Sequence, residues 1–511
     1  FQDRRLSYEE LNVRANALAL LLLDLGVQRG NFVGSLLPRS ADIVTTMIAL
    51  FKVGAIYVPM DETYPALHLK HYAASTDLRF IVSDANTLRK LPSFHSEGRA
   101  LLLDDGAVSR RLATGATDAD VASRLQGAQS VLDDVAYAVF TSGSTGEPKP
   151  IIQKHRAVTS CVHNARIMSI LSGRTTMMAP TATSFTVSLL ELWGALCNGL
   201  RVVIPTACRI EPYWFKEVIG LIERHQGQIM HAVPVIWRGL FEHGWTGSRD
   251  FCAITLGETP TRQLAEQLAR SCGRAIDSYG ASEANYSTMF DIPHDCSAYE
   301  RLPIGRPAPN VCARVVDSEG RELGIGEVGQ LHIGGPNVAA GYLNRDEYTQ
   351  QRFKPVPIPD DAAVTPQDRA TLSSSEEFLT GDLARWNPDG TLTLIGRVDD
   401  QINLQGLRIE PASVAKAILK QPGITDAVVL ARDEHLFACV APRLSKDEVR
   451  QLQTKLLDYL PPYHVPTLWM TVETGKMPRT PNGKVDKVSM RVKPFAELYL
   501  LDDILKSQSD S

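Results

Sequence analysis

Short β-rich runs alternating with helical patterns constrain this chain more than any other feature. "FVGSLL" (32–37), "RFIVSD" (79–84) and "VAYAVFTS" (135–142) are runs of this kind, and "LRVVIP" (200–205), "IMHAVP" (229–234) and "FCAITLG" (251–257) continue the rhythm. Strands separated by helices call for βαβ units and a parallel sheet, because parallel neighbours need a long crossover. The stretch "LSYEELNVRANALALLLLDLGV" (6–27) spaces its apolar residues as a helix does, and Ser7 can cap it with Glu9 and Glu10 in the first turn. From about residue 311 the texture changes. "VCARVVDSEG" and "VGQLHIGG" alternate more closely, as small antiparallel strands do.

At 511 residues the chain is long for one domain and suggests two to four. The best boundary is "GRVDDQ" (396–401), after which about 90 residues follow a short α+β pattern. The reading is an α/β protein with three parts. A large N-terminal domain of βαβ subdomains with a small β-barrel-like subdomain covers 1–398, a small mobile α+β domain covers 399–490, and a linker or tail covers 491–511. "PVPIPDDAAVTPQDRATLSSSEE" (355–377) reads as an exposed insertion, and "AELYLLDDILKSQSDS" at the end as a helix with a polar tail. No internal repeat stands out.

Composition narrows the function classes. A net charge of −5 advertises neither a nucleic-acid partner nor a membrane surface. The apolar run 17–27 is too short to span a bilayer and contains Asp24. Eight cysteines without CxxC pairing indicate neither a zinc site nor a disulfide framework, so a reducing cytoplasmic setting is expected. The chain begins with Phe rather than Met and reads as a piece excised from a longer protein.

One stretch points to chemistry. In "FTSGSTGEPKP" (140–150) a strand runs into hydroxyl residues and glycines, followed by Lys149. Glycines let a backbone approach an anion and take positive φ, and a lysine adds a point charge for phosphate. No Ser or Thr follows the lysine, so the GxxxxGK[ST] loop is excluded. A flexible, hydroxyl-rich loop remains the alternative on these residues alone.

The stretch resembles the phosphate loop of adenylate-forming enzymes, which include acyl-CoA synthetases, luciferases and the adenylation domains of nonribosomal peptide synthetases. The similarity runs in order along nearly the whole chain: "LSYEELNVRANALA", "FKVGAIYVPMDETYP" (51–65), "YGASEA" (279–284), "VGQLHIGGPNVAAGYLNR" (328–345), "TGDLARWNPDG" (380–390), "GRVDDQINLQGLRIEP" (396–411), "LPPYHVP" (460–466) and "NGKVD" (482–486). "YVPMD", "NPDG" and "GRVDDQ" look like the peptide-synthetase branch.

The resemblance implies two half-reactions. A carboxylate attacks the α-phosphorus of ATP to give acyl-AMP and pyrophosphate, and a phosphopantetheine thiol of a carrier protein, in cis or in trans, then takes the acyl group. It implies that Thr141, Ser142, Gly143, Ser144, Thr145, Gly146 and Lys149 hold the β,γ-phosphates, and that Ser282 reaches the α-phosphate. Glu283 would ligate Mg²⁺, which takes hard oxygens and few protein carboxylates. Tyr279 would offer adenine a flat face, and Asp277, where the branch often has Asn, would accept from its amine. Asp382 and Arg397 would grip the ribose, and Lys484 would bridge the substrate carboxylate and the α-phosphate. Taken singly, Glu283 could be a solvated loop acid, the Thr-Gly-Asp run a tight turn and Lys484 a spectator.

Asp399 resembles the hinge of a domain rotation between the two half-reactions, and Gly406 the close-approach residue for the pantetheine arm. Asn403 and Gln405 stand where the branch usually has two cations, which puts the thiol-transfer geometry in doubt. In domains that activate α-amino acids, "SFTVSLLELWG" would carry Phe-Asp, with the aspartate pairing the α-ammonium. Here Phe185 is followed by Thr186. Carried over position by position, the pocket wall becomes Phe185, Thr186, Val187, Leu190, Val235, Ile254, Leu256, Ser278, Tyr286 and Ser287, with no carboxylate. A buried ammonium without a counter-charge is costly, so the small carboxylic acid substrate is expected to lack a free α-ammonium: an α-keto, α-hydroxy, aryl, aliphatic or N-permethylated acid. The alternatives are an ordinary amino acid held by other groups, a stand-alone ligase delivering to coenzyme A, and a nucleotide-binding module without turnover.

Overall fold

The computed structural model describes residues 5–125, 130–141, 148–206, 212–356, 376–399, 401–404, 406–432, 435–479, 485–492 and 498–500. The chain divides into two compact units. The first holds 1–62, 75–140 and 150–398; the second holds 63–74, 141–149 and 399–511.

The first unit is built on three sheets. Strand Phe32–Leu36 lies inside the first, with parallel neighbours Ile56–Met60 and Phe80–Ser83 in the registers Val33↔Tyr57 and Val33↔Phe80. Ala100–Leu102 extends one edge; Val135–Thr141, Lys149–Lys154 and Gly341–Tyr342 extend the other. Gly34 packs closely here: a Cβ would lie 2.9 Å from the Leu78 and Met60 side-chain ends, which would have to shift to admit it. The long first helix, Tyr8–Asp24, is capped reciprocally. Glu10 N–H donates to Ser7 Oγ at 3.1 Å and Ser7 N–H donates to the Glu10 carboxylate at 2.6 Å, satisfying two donors that a helix start leaves orphaned. Ala15, Leu18, Ala19 and Leu22 of this helix are fully buried, and the last three belong to the first core cluster.

The second sheet runs Arg306–Pro307, Asn285–Asp291, Arg274–Ala281, Cys252–Leu256, Ile229–Ala232, Thr176–Met178, Arg201–Val203. Its last five members are parallel, and Asn285–Asp291 folds back antiparallel on Arg274–Ala281. The third sheet is antiparallel and centres on the long strand Glu376–Trp386, which pairs with Gly329–Gly334 on one side and with Phe353–Pro355 and Leu392–Arg397 on the other. The sequence led us to expect a barrel-like subdomain here. Among the described residues the pairings form an open sheet that does not close.

In the second unit a two-stranded ribbon, Ile402–Leu404 with Leu407–Ile409, precedes helix Pro411–Leu419 and a four-stranded sheet. Trp469, Val449 and Leu456 are buried in its core. The terminal segment differs from the sequence reading. Leu498–Leu500 is a strand paired antiparallel with Leu468–Thr471, in the register Met470↔Leu498, where a helix was expected. An open edge carries unpaired N–H and C=O groups, and pairing there outweighs weak local helical patterning. The Tyr64 and Tyr463 hydroxyls, both in this unit, meet at 3.0 Å.

Candidate active site

Strand Arg274–Ala281 organises the site, because successive side chains leave a strand on opposite faces. Ile276 joins an apolar cluster on one face, while Tyr279 packs against the first unit's main core on the other. Alternation therefore puts Asp277 and Tyr279 on one side of the sheet and Ile276 and Ser278 on the opposite side. The strand then turns sharply into Asn285–Asp291. A Cβ on Gly280 would lie 1.7 Å from the Asn285 carbonyl oxygen, so only glycine fits at this turn.

On the Tyr279 face three residues meet. Tyr279 Oη donates to Asp382 Oδ2 at 2.6 Å, and Arg397 Nη1 donates to Asp382 Oδ1 at 2.6 Å. Asp382 and Arg397 are register partners across adjacent strands, and the Asp382 N–H donates to Thr380 Oγ1 at 2.9 Å. An ionised carboxylate offers about four lone-pair sites, so two remain once Tyr279 and Arg397 are bound. Those two point to a ligand with adjacent hydroxyls. Asp277 is fully buried, and burial pushes its carboxyl well above the ordinary carboxylate range, opposed by the Ser278 N–H.

Around the turn, Glu283 is completely buried, and Tyr342 Oη donates to its Oε1 at 2.7 Å. Gln153 Nε2 donates to the Ser282 carbonyl at 2.8 Å, and Ser282 Oγ lies 3.0 Å from Thr186 Oγ1. Among the described residues no three His, Cys, Asp or Glu side chains converge as a metal cage. A cation held by Glu283 would draw its other ligands from phosphate and water, as Mg²⁺ does. Thr141 ends its strand, and Lys149 is buried at the start of the next. Ser142, Gly143, Ser144, Thr145, Gly146 and Lys484 lie outside the described residues.

On the opposite face the structure gathers Val187, Leu190, Ile254 and Tyr286 into one apolar cluster with Ile276 and Met289. Ile254 sits opposite Ile276, and Leu256 opposite Ser278, so these share a face. Phe185 accepts from the Ser188 hydroxyl through its carbonyl at 2.7 Å. Val235 packs against a different cluster, around Trp237. The Ser287 hydroxyl is buried and donates to the Ala284 carbonyl at 2.9 Å, and Ser278 Oγ donates to the Thr288 carbonyl at 3.4 Å. In the second unit, Asp399 Oδ1 accepts from Gln401 N–H at 3.3 Å, and Gly406 holds a φ of +74°, where glycine is favoured.

Sequence reasoning left Glu191 out of the pocket wall. It falls in a π-helical turn, Leu190–Gly194, an irregularity frequent at functional sites. Its carboxyl is fully buried, with Oε1 accepting from Thr181 Oγ1 at 2.6 Å and Oε2 from Thr181 N–H at 3.1 Å. Burial pushes its pKa up to about 8, against the pull of the Thr181 bonds and the Arg39 guanidinium. Arg39 is itself committed to backbone, donating to the Thr181 carbonyl at 2.6 Å and to the Ala179 carbonyl. The signal was visible: Glu191 is the first acid after Phe185. Its direction inward was not, since the π-turn sets it.

A family profile described as an AMP-binding enzyme matches residues 1–343. The chain belongs to the AMP-binding enzyme family. It is an acid–AMP ligase of the adenylate-forming superfamily, and its relatives include peptide-synthetase adenylation domains. It is 31% identical over 526 residues to malpibaldin synthetase of Mortierella alpina, covering 99% of this chain and 9% of that protein. Against phosphinothricin tripeptide synthetase PhsC of Streptomyces viridochromogenes the identity is 31% over 495 residues, covering 96% of this chain and 43% of the relative. This AMP-binding chain thus spans less than half the length of these curated relatives. Its fold matches NpsA-ThdA, an artificially fused adenylation–PCP di-domain from Klebsiella oxytoca, with TM-score 0.77, 21% identity and coverage of 91% and 89% of the two chains. No described helix is long and apolar enough to cross a membrane.

Proposed function

We propose that this AMP-binding enzyme condenses ATP with a small carboxylic acid lacking a free α-ammonium, then passes the acyl group to a carrier-protein phosphopantetheine. The observation that carries the nucleotide half is the Tyr279–Asp382–Arg397 arrangement, which leaves two carboxylate lone-pair sites for the ribose hydroxyls. Tyr279 gives adenine a face, and Asp277, two residues earlier on the same face of the strand, accepts from its amine. Glu283, oriented by Tyr342, is the residue suited to Mg²⁺, which neutralises phosphate charge when bound. The loop 141–149 holds the β,γ-phosphates, and Ser282 reaches the α-phosphate. Lys484 neutralises the charge that builds as carboxylate meets α-phosphate, two anions that repel until a cation stands between them.

The acid half rests on the uncharged pocket. No carboxylate stands among the predicted wall positions, the Thr186 hydroxyl pairs with Ser282, and Glu191 is capped by Thr181 and held mostly protonated below pH 8. An α-ammonium placed there would be desolvated without a counter-charge. Thiol transfer follows from a turn of the C-terminal domain at Asp399, with Gly406 admitting the pantetheine arm. The test is ATP–pyrophosphate exchange over a panel of acids. Exchange should be stronger with α-keto, α-hydroxy, aryl or branched aliphatic acids than with leucine, valine or phenylalanine; the reverse order overturns the reading.

A further inference from the structure

The apolar face of the second sheet contains one polar residue that the family resemblance did not single out. His231 sits in strand Ile229–Ala232 as the register partner of Ile254, so its imidazole projects from the same face as Ile254 and Ile276. It is 1% exposed, and neither Nδ1 nor Nε2 has a hydrogen-bond partner among the described residues. Its ring lies 5.7 Å from that of Tyr286, centroid to centroid, at 50°. Tyr286 is 9% exposed, belongs to the cluster of Val187, Leu190 and Ile254, and its Oη is also buried without a partner among the described residues.

Three buried polar atoms from two adjacent side chains, all unsatisfied, are a costly arrangement for a core. Each such group left unpaired carries its full desolvation penalty, and buried polar groups nearly always find partners. A core position facing Ile254 would be better filled by leucine or phenylalanine. The atoms are of the right kind to bind a neutral polar group. Burial lowers the imidazole pKa to about 3, so the ring is neutral, with one nitrogen a donor and the other an acceptor, and the phenol is both.

We infer that His231 and Tyr286 form a polar end to the acid pocket and select a carboxylic acid bearing an uncharged hydroxyl or carbonyl at the end remote from its carboxylate. This rests on the adenylation reading and adds a specificity-determining residue, His231, to it. A ligand hydroxyl or ketone in this position satisfies the orphaned atoms, whereas an apolar tail leaves them buried and unpaired. Sites built to hydrogen-bond a group reject analogues lacking it far more strongly than apolar pockets reject a missing methylene.

The experiment compares pyrophosphate-exchange kcat/KM for two matched pairs, para-coumaric against cinnamic acid and levulinic against valeric acid, in the wild-type chain and in His231→Leu and Tyr286→Phe. At least one pair should favour the polar member by about tenfold or more, and each substitution should collapse that ratio toward one. His231→Leu should melt no lower than the wild type, since it removes two unpaired nitrogens, so a lost preference cannot be ascribed to unfolding. Equal use of both members by the wild type, or a ratio unchanged in His231→Leu, overturns the inference while leaving adenylation standing. Absence of exchange with every acid tried overturns the adenylation reading and this inference with it.

Discussion

Glu191 offers a direct test of the claim that the pocket is uncharged. In the unfolded chain its carboxyl titrates at the ordinary value of 4.5, and in the folded protein burial holds it at about 8. Between these two values the native state keeps a proton that the unfolded state has released. Stability contributed by the neutral form is therefore complete below pH 4.5, falls as the pH rises, and is gone above about 8. Each pH unit in that interval is worth about 1.36 kcal/mol, so the whole rise costs on the order of 5 kcal/mol. Replacing Glu191 by Gln abolishes the titration but keeps a carbonyl oxygen to accept from Thr181, so the variant should fold. The assay is denaturant unfolding of both proteins at pH 5, 6, 7 and 8, each reporting stability through its midpoint. The difference, wild type minus Glu191→Gln, should grow steadily more unfavourable to the wild type with rising pH. Parallel curves would show that Glu191 is ionised throughout, and a buried negative charge would then stand within electrostatic range of Tyr286, where an α-ammonium could use it.

Other consequences concern the nucleotide site and the histidines. Asp382→Asn and Arg397→Met should each raise the KM for ATP about 10-fold or more in pyrophosphate exchange, and the double variant should lose much less than the product, because the two act as one unit. Tyr342→Phe should leave the buried Glu283 carboxylate without its hydroxyl donor; a titration of exchange rate against Mg²⁺ should show a higher half-saturating concentration, and an unchanged curve would dissociate Glu283 from the metal. Lys484→Ala should cut exchange by about 10²–10³-fold, the usual loss when a charge-stabilising group is removed, with ATP binding by calorimetry retained. His68, His231 and His464 are pushed down to about 3, 3 and 4 by burial, so the unfolded state binds protons first as pH falls below 6.5. Stability should fall between pH 6.5 and 4, and His231→Leu should flatten that fall; identical acid profiles would place the imidazole in water.

Much of the fold was legible because local signals and tertiary placement agree. "RFIVSD" became Phe80–Ser83, and "FCAITLG" became Cys252–Leu256, with burial on both faces explaining their continuous apolar character. Ser7 with Glu10 gave the first helix its start. Thr176–Met178 went unread because three residues carry no periodicity. The strand Leu498–Leu500 was misread because its partner, Leu468–Thr471, is distant in sequence. At the site, "YGASE" and "TGD" were readable as motifs, but that Tyr279 donates to Asp382 depends on two sheets coming together. The inward direction of Glu191 and the facing of His231 onto Ile254 were illegible for the same reason. Their placements follow from a π-turn and a register pairing that no single segment encodes.

The most direct measurement is mass spectrometry of the acyl-adenylate formed when the chain is given ATP, Mg²⁺ and an equimolar pool of α-amino acids with their α-keto and α-hydroxy counterparts. The account predicts an adenylate whose mass corresponds to an acid without a free amine. An adenylate of an ordinary α-amino acid as the dominant product would contradict it.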